Sequence, residues 1–390
     1  MATKLFDQAK KNKADEFYTQ LKDIEMEVKN YKSQFKDKVV FCNCDDPYES
    51  NFFKYFALNF EHLKLKKLIA IGYDPSPVSG EEIDLFNYMV NNGYSSTAYK
   101  IEIVETPDLN NDGAVDINDI RSLLQGGRNV LTRLKGDGDF RSEESIQALK
   151  EADIVVTNPP FSLFREYVLQ LEEYNKDFLI IGNTNALTYK DIFKMFKDDK
   201  IRTGYTNFNV GMYFIVPDYY ERYTNIIDGV KYARVSTSCW FTNLSVEKHN
   251  ENLTLYKTYD PRIFPKYENY NAINIDTYKH IPYDYEGEMG VPITFLDKYN
   301  PKQFEIVALG IVGSIEFSSE RKMEILKKGE ATGKYTVNAK GTLYRKWDPE
   351  IDVKPAAFKD VKSGELYQSI YARIIIKKRW NIKWKLNYTV

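Results

Sequence analysis

The stretch that most constrains this chain is Ala152-Asp-Ile-Val-Val-Thr-Asn-Pro-Pro-Phe161. A continuous apolar run such as Ile154-Val155-Val156 suits a strand covered on both faces, as in a parallel α/β sheet. Pro159 and Pro160 forbid its extension, so Asn158-Pro159-Pro160-Phe161 must lie at the strand's carboxyl end, where open α/β sheets bind their ligands. The prolines fix φ and push Asn158 out of the α region, which holds an amide, a backbone carbonyl and an aromatic ring in one rigid cluster.

That cluster suits methylation of an exocyclic amine, whose delocalised lone pair is a poor nucleophile. The Asn158 side-chain oxygen and the Pro159 carbonyl can each accept one N–H, favouring a pyramidal nitrogen aimed at a sulfonium methyl, while Phe161 stacks on the base. A Pro-Pro turn that merely closes a buried strand is the bland alternative.

At 390 residues the chain exceeds one average domain. We expect a catalytic domain over 1–247 and a recognition region over 248–390. No stretch is long and apolar enough to span a membrane, and the first residues lack the apolar core of a signal peptide, so a cytoplasmic protein is expected. Three cysteines, Cys42, Cys44 and Cys239, form no disulfide framework and read as small buried hydrophobes. The net charge of -2 does not mark a nucleic-acid binder, but its distribution does. Arg321 to Trp347 holds eight Lys/Arg against two Glu, and Arg373 to Lys385 holds six more with no acid. Lys327, Lys328, Arg345, Lys346, Lys377, Lys378 and Arg379 are the candidate phosphate contacts, set against solvated faces balanced by acids nearby in space.

In chain order, Lys10 to Gln34 has the spacing of a charged helix, with Phe17-Tyr18-Thr19 at its start. Lys38 to Cys44 reads as the first strand, and Asp45-Asp46-Pro47 ends it without a glycine; the acidic pair either binds the amino group of a cofactor's methionine part or caps the next helix. Lys67 to Tyr73 reads as a second strand ending at Asp74, which binds a ribose or opens a turn with Pro75. Tyr99 to Val104 reads as a third. Asp108, Asn110, Asp112, Ala114 (through its carbonyl), Asp116 and Asp119 have the spacing of a calcium loop, with an Asp/Asn/Gly-rich surface loop as the alternative. Ser142 should cap a helix to Lys150, and Asp139-Phe140 just before it lies where the cofactor's adenine would rest. Strand-helix alternation through Phe196 implies a doubly wound sheet, and two hairpin-like stretches, Arg202 to Val216 and Tyr232 to Leu244, would complete it. Trp240-Phe241 either pack on a flipped base or belong to the core.

These motifs resemble the EcoRI-type adenine-specific DNA methyltransferase family from about Asp15 to Lys378. The most specific parts are Gly138 to Glu144, Ala152 to Val168, Cys239 to Leu244 and Met289 to Tyr299. The resemblance implies a Rossmann-like S-adenosylmethionine-dependent fold with a mixed, mostly parallel seven-stranded sheet and methyl transfer to N6 of an adenine flipped out of duplex DNA, alone or beside a cognate restriction endonuclease. It assigns Asn158, Pro159 and Phe161 to catalysis and base contact, with Pro160 completing the motif. Asp139 and Phe140 go to the cofactor's adenine, and Phe17, Tyr18 and Thr19 to its methionine side. The recognition region follows the catalytic motifs, the γ arrangement. One departure is the absence of the superfamily's Phe-x-Gly-x-Gly turn, which Cys42 to Pro47 replaces. Methyl transfer to RNA or a protein glutamine, and a catalytically silent DNA-binding protein, are the competing readings.

Overall fold

The computed structural model describes residues 18–44, 47, 50–72, 98–109, 115, 119–120, 122, 130–216, 218 and 220–379. The chain divides into two compact units: Met1–Ala186 with Ile201–Val246, and Leu187–Lys200 with Glu247–Val390.

The first unit is built on an eight-stranded sheet: β1 (Val39–Cys42), β2 (Lys67–Gly72), β3 (Tyr99–Ile103), β4 (Val130–Arg133), β5 (Ile154–Thr157), β6 (Asp177–Asn183), β7 (Arg202–Thr203) and β8 (Ser238–Thr242), in the order β4-β3-β2-β1-β5-β6-β8-β7. The sheet is mixed, as expected, but it has eight strands rather than seven and parallel pairings are not the majority. Three central pairings, β2 with β1, β1 with β5 and β5 with β6, are parallel. The other four are antiparallel. Parallel neighbours need a crossover, and helices Asn51–Leu58 and Phe164–Glu173 supply those after β1 and β5.

Helix Phe164–Glu173 buries Phe164, Tyr167, Val168 and Leu171, a stripe at helical spacing. Ser142 caps helix Glu143–Glu151 by accepting from the Ser145 N–H at 3.2 Å, with Glu143 and Glu144 in the positive first turn, as predicted.

A second, four-stranded antiparallel sheet of this unit joins Tyr18–Thr19, Met212–Ile215, Val230–Val235 and Asn225–Ile227. Tyr18 and Thr19 are therefore strand, not the helix start their spacing suggested; the helix begins at Leu21. The hairpin-like stretch Tyr232 to Leu244 splits at Ser236-Thr237 between the two sheets. Glu27, fully buried on helix Leu21–Val28, accepts from the Tyr205 and Thr206 N–H groups at 2.6 and 2.7 Å and so fixes the turn that leads to Met212–Ile215.

The second unit holds a four-stranded sheet (Ala272–Asn274, Glu288–Pro292, Arg373–Lys378, Phe304–Leu309) and a five-stranded one (Glu330–Val337, Lys322–Lys327, Phe358–Asp360, Leu366–Ile370, Leu343–Lys346). Helix Lys190–Lys197 belongs to this unit and packs on Phe304–Leu309, with Lys197 Nζ donating to the Val307 carbonyl at 2.8 Å. Among the described residues no helix is long and apolar enough to cross a membrane.

Candidate active site

Strands β1 and β5 lie side by side and parallel, so their carboxyl ends open on the same edge. Beyond β5, Asn158 and Pro159 are buried and Pro160 and Phe161 half-buried. The Leu163 N–H donates to the Pro160 carbonyl at 2.9 Å, turning the chain straight into the next helix. This rigid corner is what two prolines after a buried strand demand.

The end of β1 is tied to that corner. Thr157 Oγ1 donates to the Asn43 carbonyl, and the Tyr167 hydroxyl donates to Asn43 Oδ1, which also receives the Cys44 thiol at 3.5 Å. Burial above all, then the neighbouring Cys44, holds the Tyr167 hydroxyl far above its ordinary pKa, so it stays a donor. Cys44 has a φ of +72°, the left-handed conformation a glycine would adopt without strain.

Phe140 joins the same cluster. Its ring meets Tyr167 edge-on, centroids 5.1 Å apart, and its carbonyl accepts from Gln170 Nε2 at 3.1 Å. Asp139 beside it accepts from Arg141 Nε at 2.8 Å and Nη2 at 2.7 Å, and Arg141 reaches Glu166 at 3.3 Å. The Arg141 hydrogen bonds hold the Asp139 carboxyl below the usual carboxylate range. Asp139 is therefore an ionised acceptor oriented by its neighbour.

Phe161 closes the other side, packing edge-on against Phe214 with centroids 6.3 Å apart. Phe214 pairs across the small sheet with Thr19, and Tyr18 with Ile215, so the Tyr18-Thr19 segment lies on the strand that buttresses the catalytic ring. Asn51 Nδ2, on the helix after β1, donates to the Thr19 carbonyl at 2.7 Å. Thr19 Oγ1 is buried without a hydrogen-bond partner among the described residues. A buried hydroxyl in that state awaits a polar group, which fits a cofactor's charged methionine end. Phe17, Asp45, Asp46 and Asp74 lie outside the described residues; Cys42 is buried in β1.

Other expected residues fall elsewhere. Trp240 and Phe241 are fully buried, Trp240 against Phe52 at 5.9 Å and Phe241 against Phe164 at 4.9 Å. They sit on β8, an interior strand between β6 and β7 with both faces covered, so the core claims them rather than a flipped base. Arg345 is buried in a two-pronged pair with Asp352 at 2.7 and 2.9 Å, which makes it structural. Lys346 pairs with Glu365 at 2.8 Å, and Glu365 is pushed down to about 2, the Lys346 bond being the first cause. Lys378 donates to the Tyr283 carbonyl, and burial brings it down to about 8. Arg379 Nε donates to the Phe304 carbonyl at 3.2 Å. Lys327 and Lys328, at a hairpin turn, and Lys377 are exposed.

Of the calcium template, Asp108 and Asp119 are described and Asn110, Asp112, Ala114 and Asp116 lie outside. Asp119 is buried and accepts from the Leu109 N–H at 2.9 Å, a loop-closing bond. Among the described residues no group of three or more His, Cys, Asp or Glu could hold a metal ion, and nothing in them supports calcium.

Sequence reasoning missed Asn43, Asn51, Arg141, Tyr167 and Phe214. Arg141 alone left a local signal, two residues after an aspartate; the others act through partners distant in the chain.

A mixed α/β fold thus carries the Asn-Pro-Pro-Phe corner, with Asp139-Phe140 tied to it through Tyr167 and Tyr18-Thr19 through Phe214. The family of the adenine-specific methyltransferase EcoRI matches residues 5–379, and the chain belongs to it: it is an enzyme, an adenine-specific DNA methyltransferase. It is 46% identical over 310 residues to the type II methyltransferase M.EcoRI of Escherichia coli, covering 78% of this chain and 88% of the relative. Two further relatives are the type II methyltransferases M.MgeORF184P of Mycoplasma genitalium, 38% identical over 77% of this chain and 85% of its own length, and M.MpnI of Mycoplasma pneumoniae, 39% identical over 77% and 84%. No solved structure matches the chain significantly.

Proposed function

We propose that the chain methylates N6 of an adenine flipped out of duplex DNA, with S-adenosylmethionine as donor, on a Rossmann-like fold of the γ arrangement. The observation that carries this reading is the chain of contacts that ties the strand before Asn158-Pro159-Pro160-Phe161 to Asn43 through Thr157, Asn43 to Phe140 through Tyr167, and Phe161 to the Tyr18-Thr19 strand through Phe214. When bound, S-adenosylmethionine supplies an electrophilic methyl group. The Thr19 hydroxyl receives its methionine end, Asp139 accepts from its adenine amino group, and Phe140 packs on its ring. The Asn158 side-chain oxygen and the Pro159 carbonyl accept the two N6 hydrogens of the target, which localises the nitrogen lone pair, and Phe161 stacks on the base. Both acceptors are buried, so water does not compete for those hydrogens.

Residues 248–390 supply target recognition, with Lys327, Lys328 and Lys377 as the exposed cations that meet phosphates. The reaction takes place in the cytoplasm, alone or beside a cognate endonuclease. The test is methylation-sensitive sequencing of DNA from cells expressing the chain or its Asn158→Ala variant. A short motif methylated at adenine N6 only with the intact chain is expected; identical patterns in both cultures refute the assignment.

A further inference from the structure

The small sheet that buttresses Phe161 carries a ribbon that its own unit does not cover. From Glu221 to Val230 all ten residues are exposed. In a sheet with one packed face, burial alternates along each strand, so an unbroken exposed run means that both faces of the ribbon stand in solvent. Asn225 pairs with Tyr232, Ile226 with Lys231 and Ile227 with Val230, and Asp228 (φ +50°) and Gly229 (φ +82°) close the tip in a tight two-residue turn. The ribbon is stiffened at its base, where the Thr224 N–H donates to the Tyr232 carbonyl at 2.6 Å and the Arg234 N–H to Thr224 Oγ1 at 2.9 Å.

Its tip is apolar. Ile226, Ile227 and Val230 are 52%, 50% and 38% exposed, and Tyr223 at the base is 43% exposed. An isolated exposed isoleucine is ordinary, but three aliphatic side chains at the end of a stiff ribbon mark a contact surface. The register fixes where that surface lies. Ala233 pairs with Phe214, the residue against Phe161, and the tip is four residues further on, roughly 13 Å along the strand at about 3.3 Å per residue. On the returning strand Lys231 donates to the Asp218 carbonyl and Arg234 Nη2 to the Val210 carbonyl at 2.8 Å, so both cations brace the base of the ribbon.

A two-stranded ribbon is the width a DNA groove admits, and extruding a base leaves an apolar gap in the stack that an aliphatic side chain fills without needing a hydrogen-bond partner. A second copy of the chain fits less well, because the edge strand Asn225–Ile227 is only three residues long. We propose that the ribbon tip, through Ile226 and Ile227, is a wedge that enters the DNA stack beside the target adenine and holds the extruded state open. The proposal rests on the base-flipping reading above and adds the element that performs it.

The test uses the full chain and a duplex carrying the methylated motif mapped by sequencing, with 2-aminopurine in place of the target adenine. Wild type should raise the probe's emission on binding. Ile226→Ala with Ile227→Ala should remove most of that rise and lower kcat/KM for the natural duplex by roughly one to two orders of magnitude, while the dissociation constant for S-adenosylmethionine stays within about twofold. Ile226→Met with Ile227→Met, which keeps apolar volume, should restore the emission. Wild-type emission and kcat/KM in the alanine variant overturn the wedge. So does sedimentation showing that the alanine pair dissociates a dimer. No emission change with the wild-type chain refutes base flipping itself, and the wedge with it.

Discussion

Strands β5 and β8 belong to one sheet, and each brings large aromatic residues to it, Phe161 just beyond the end of β5 and Trp240-Phe241 within β8, yet they end differently. β5 stops at two prolines, and Phe161 is left half-buried at the rim against Phe214. β8 runs on between two neighbours, and Trp240 and Phe241 disappear into the core. Aromatic content therefore says little about base contact. What matters is whether the backbone leaves the sheet at that residue.

Substitutions should separate the two strands. Trp240→Ala opens a core cavity and should cost about 3–5 kcal/mol of stability, read as a lower denaturation midpoint. Phe161→Ala should cost less than half of that but weaken target-base binding, and a larger loss of stability there would blur the contrast. Asn158→Ala should leave the melting temperature nearly unchanged while kcat falls by about 10²–10³, the usual penalty for removing one preorganised partner of developing charge. Single-turnover methylation measures it.

The same division sorts the cations. Arg345→Ala strands the buried Asp352 carboxylate and should destabilise by about 3 kcal/mol whatever the DNA. Replacing Lys327 and Lys328 together should leave unfolding alone and reduce the slope of log affinity against log salt by about one for each lysine. Lys378 gives the smallest effect. Its folded pKa of about 8 lies below the unfolded value, so the unfolded chain binds more protons between about pH 8 and 10.4, and stability rises with pH across that window. Lys378→Met should flatten the rise in a set of denaturant titrations.

The site was legible where its chemistry is local. Asn158-Pro-Pro-Phe161 fixes its own backbone, Asp139-Phe140 precedes a capped helix, and Tyr18-Thr19 fell in the right segment though as strand rather than helix. The Asn43–Tyr167 bond spans 124 residues and unites an asparagine in an unremarkable turn with a tyrosine that reads as core. Helical spacing reports that Tyr167 faces inward but not what its hydroxyl meets. In the basic runs Arg345 and Lys346 mislead for a related reason: Asp352 and Glu365, which pair with them, lie beyond Trp347 in the chain. The mixed character of the sheet was legible in its hairpin-like late strands, but the antiparallel direction of Tyr99–Ile103 and Val130–Arg133 was not, because a strand reads the same in either direction.

Helix Lys190–Lys197 lies between β6 and β7 in sequence, but it packs on Phe304–Leu309, more than a hundred residues later. During synthesis, Ile192, Phe193, Met195 and Phe196 leave the ribosome long before the strand that helps cover them. A chain cut after Val246 would keep this sticky helix and lose its seat. The catalytic unit should therefore aggregate when made alone, and should regain solubility when residues 247–390 are supplied on the same polypeptide.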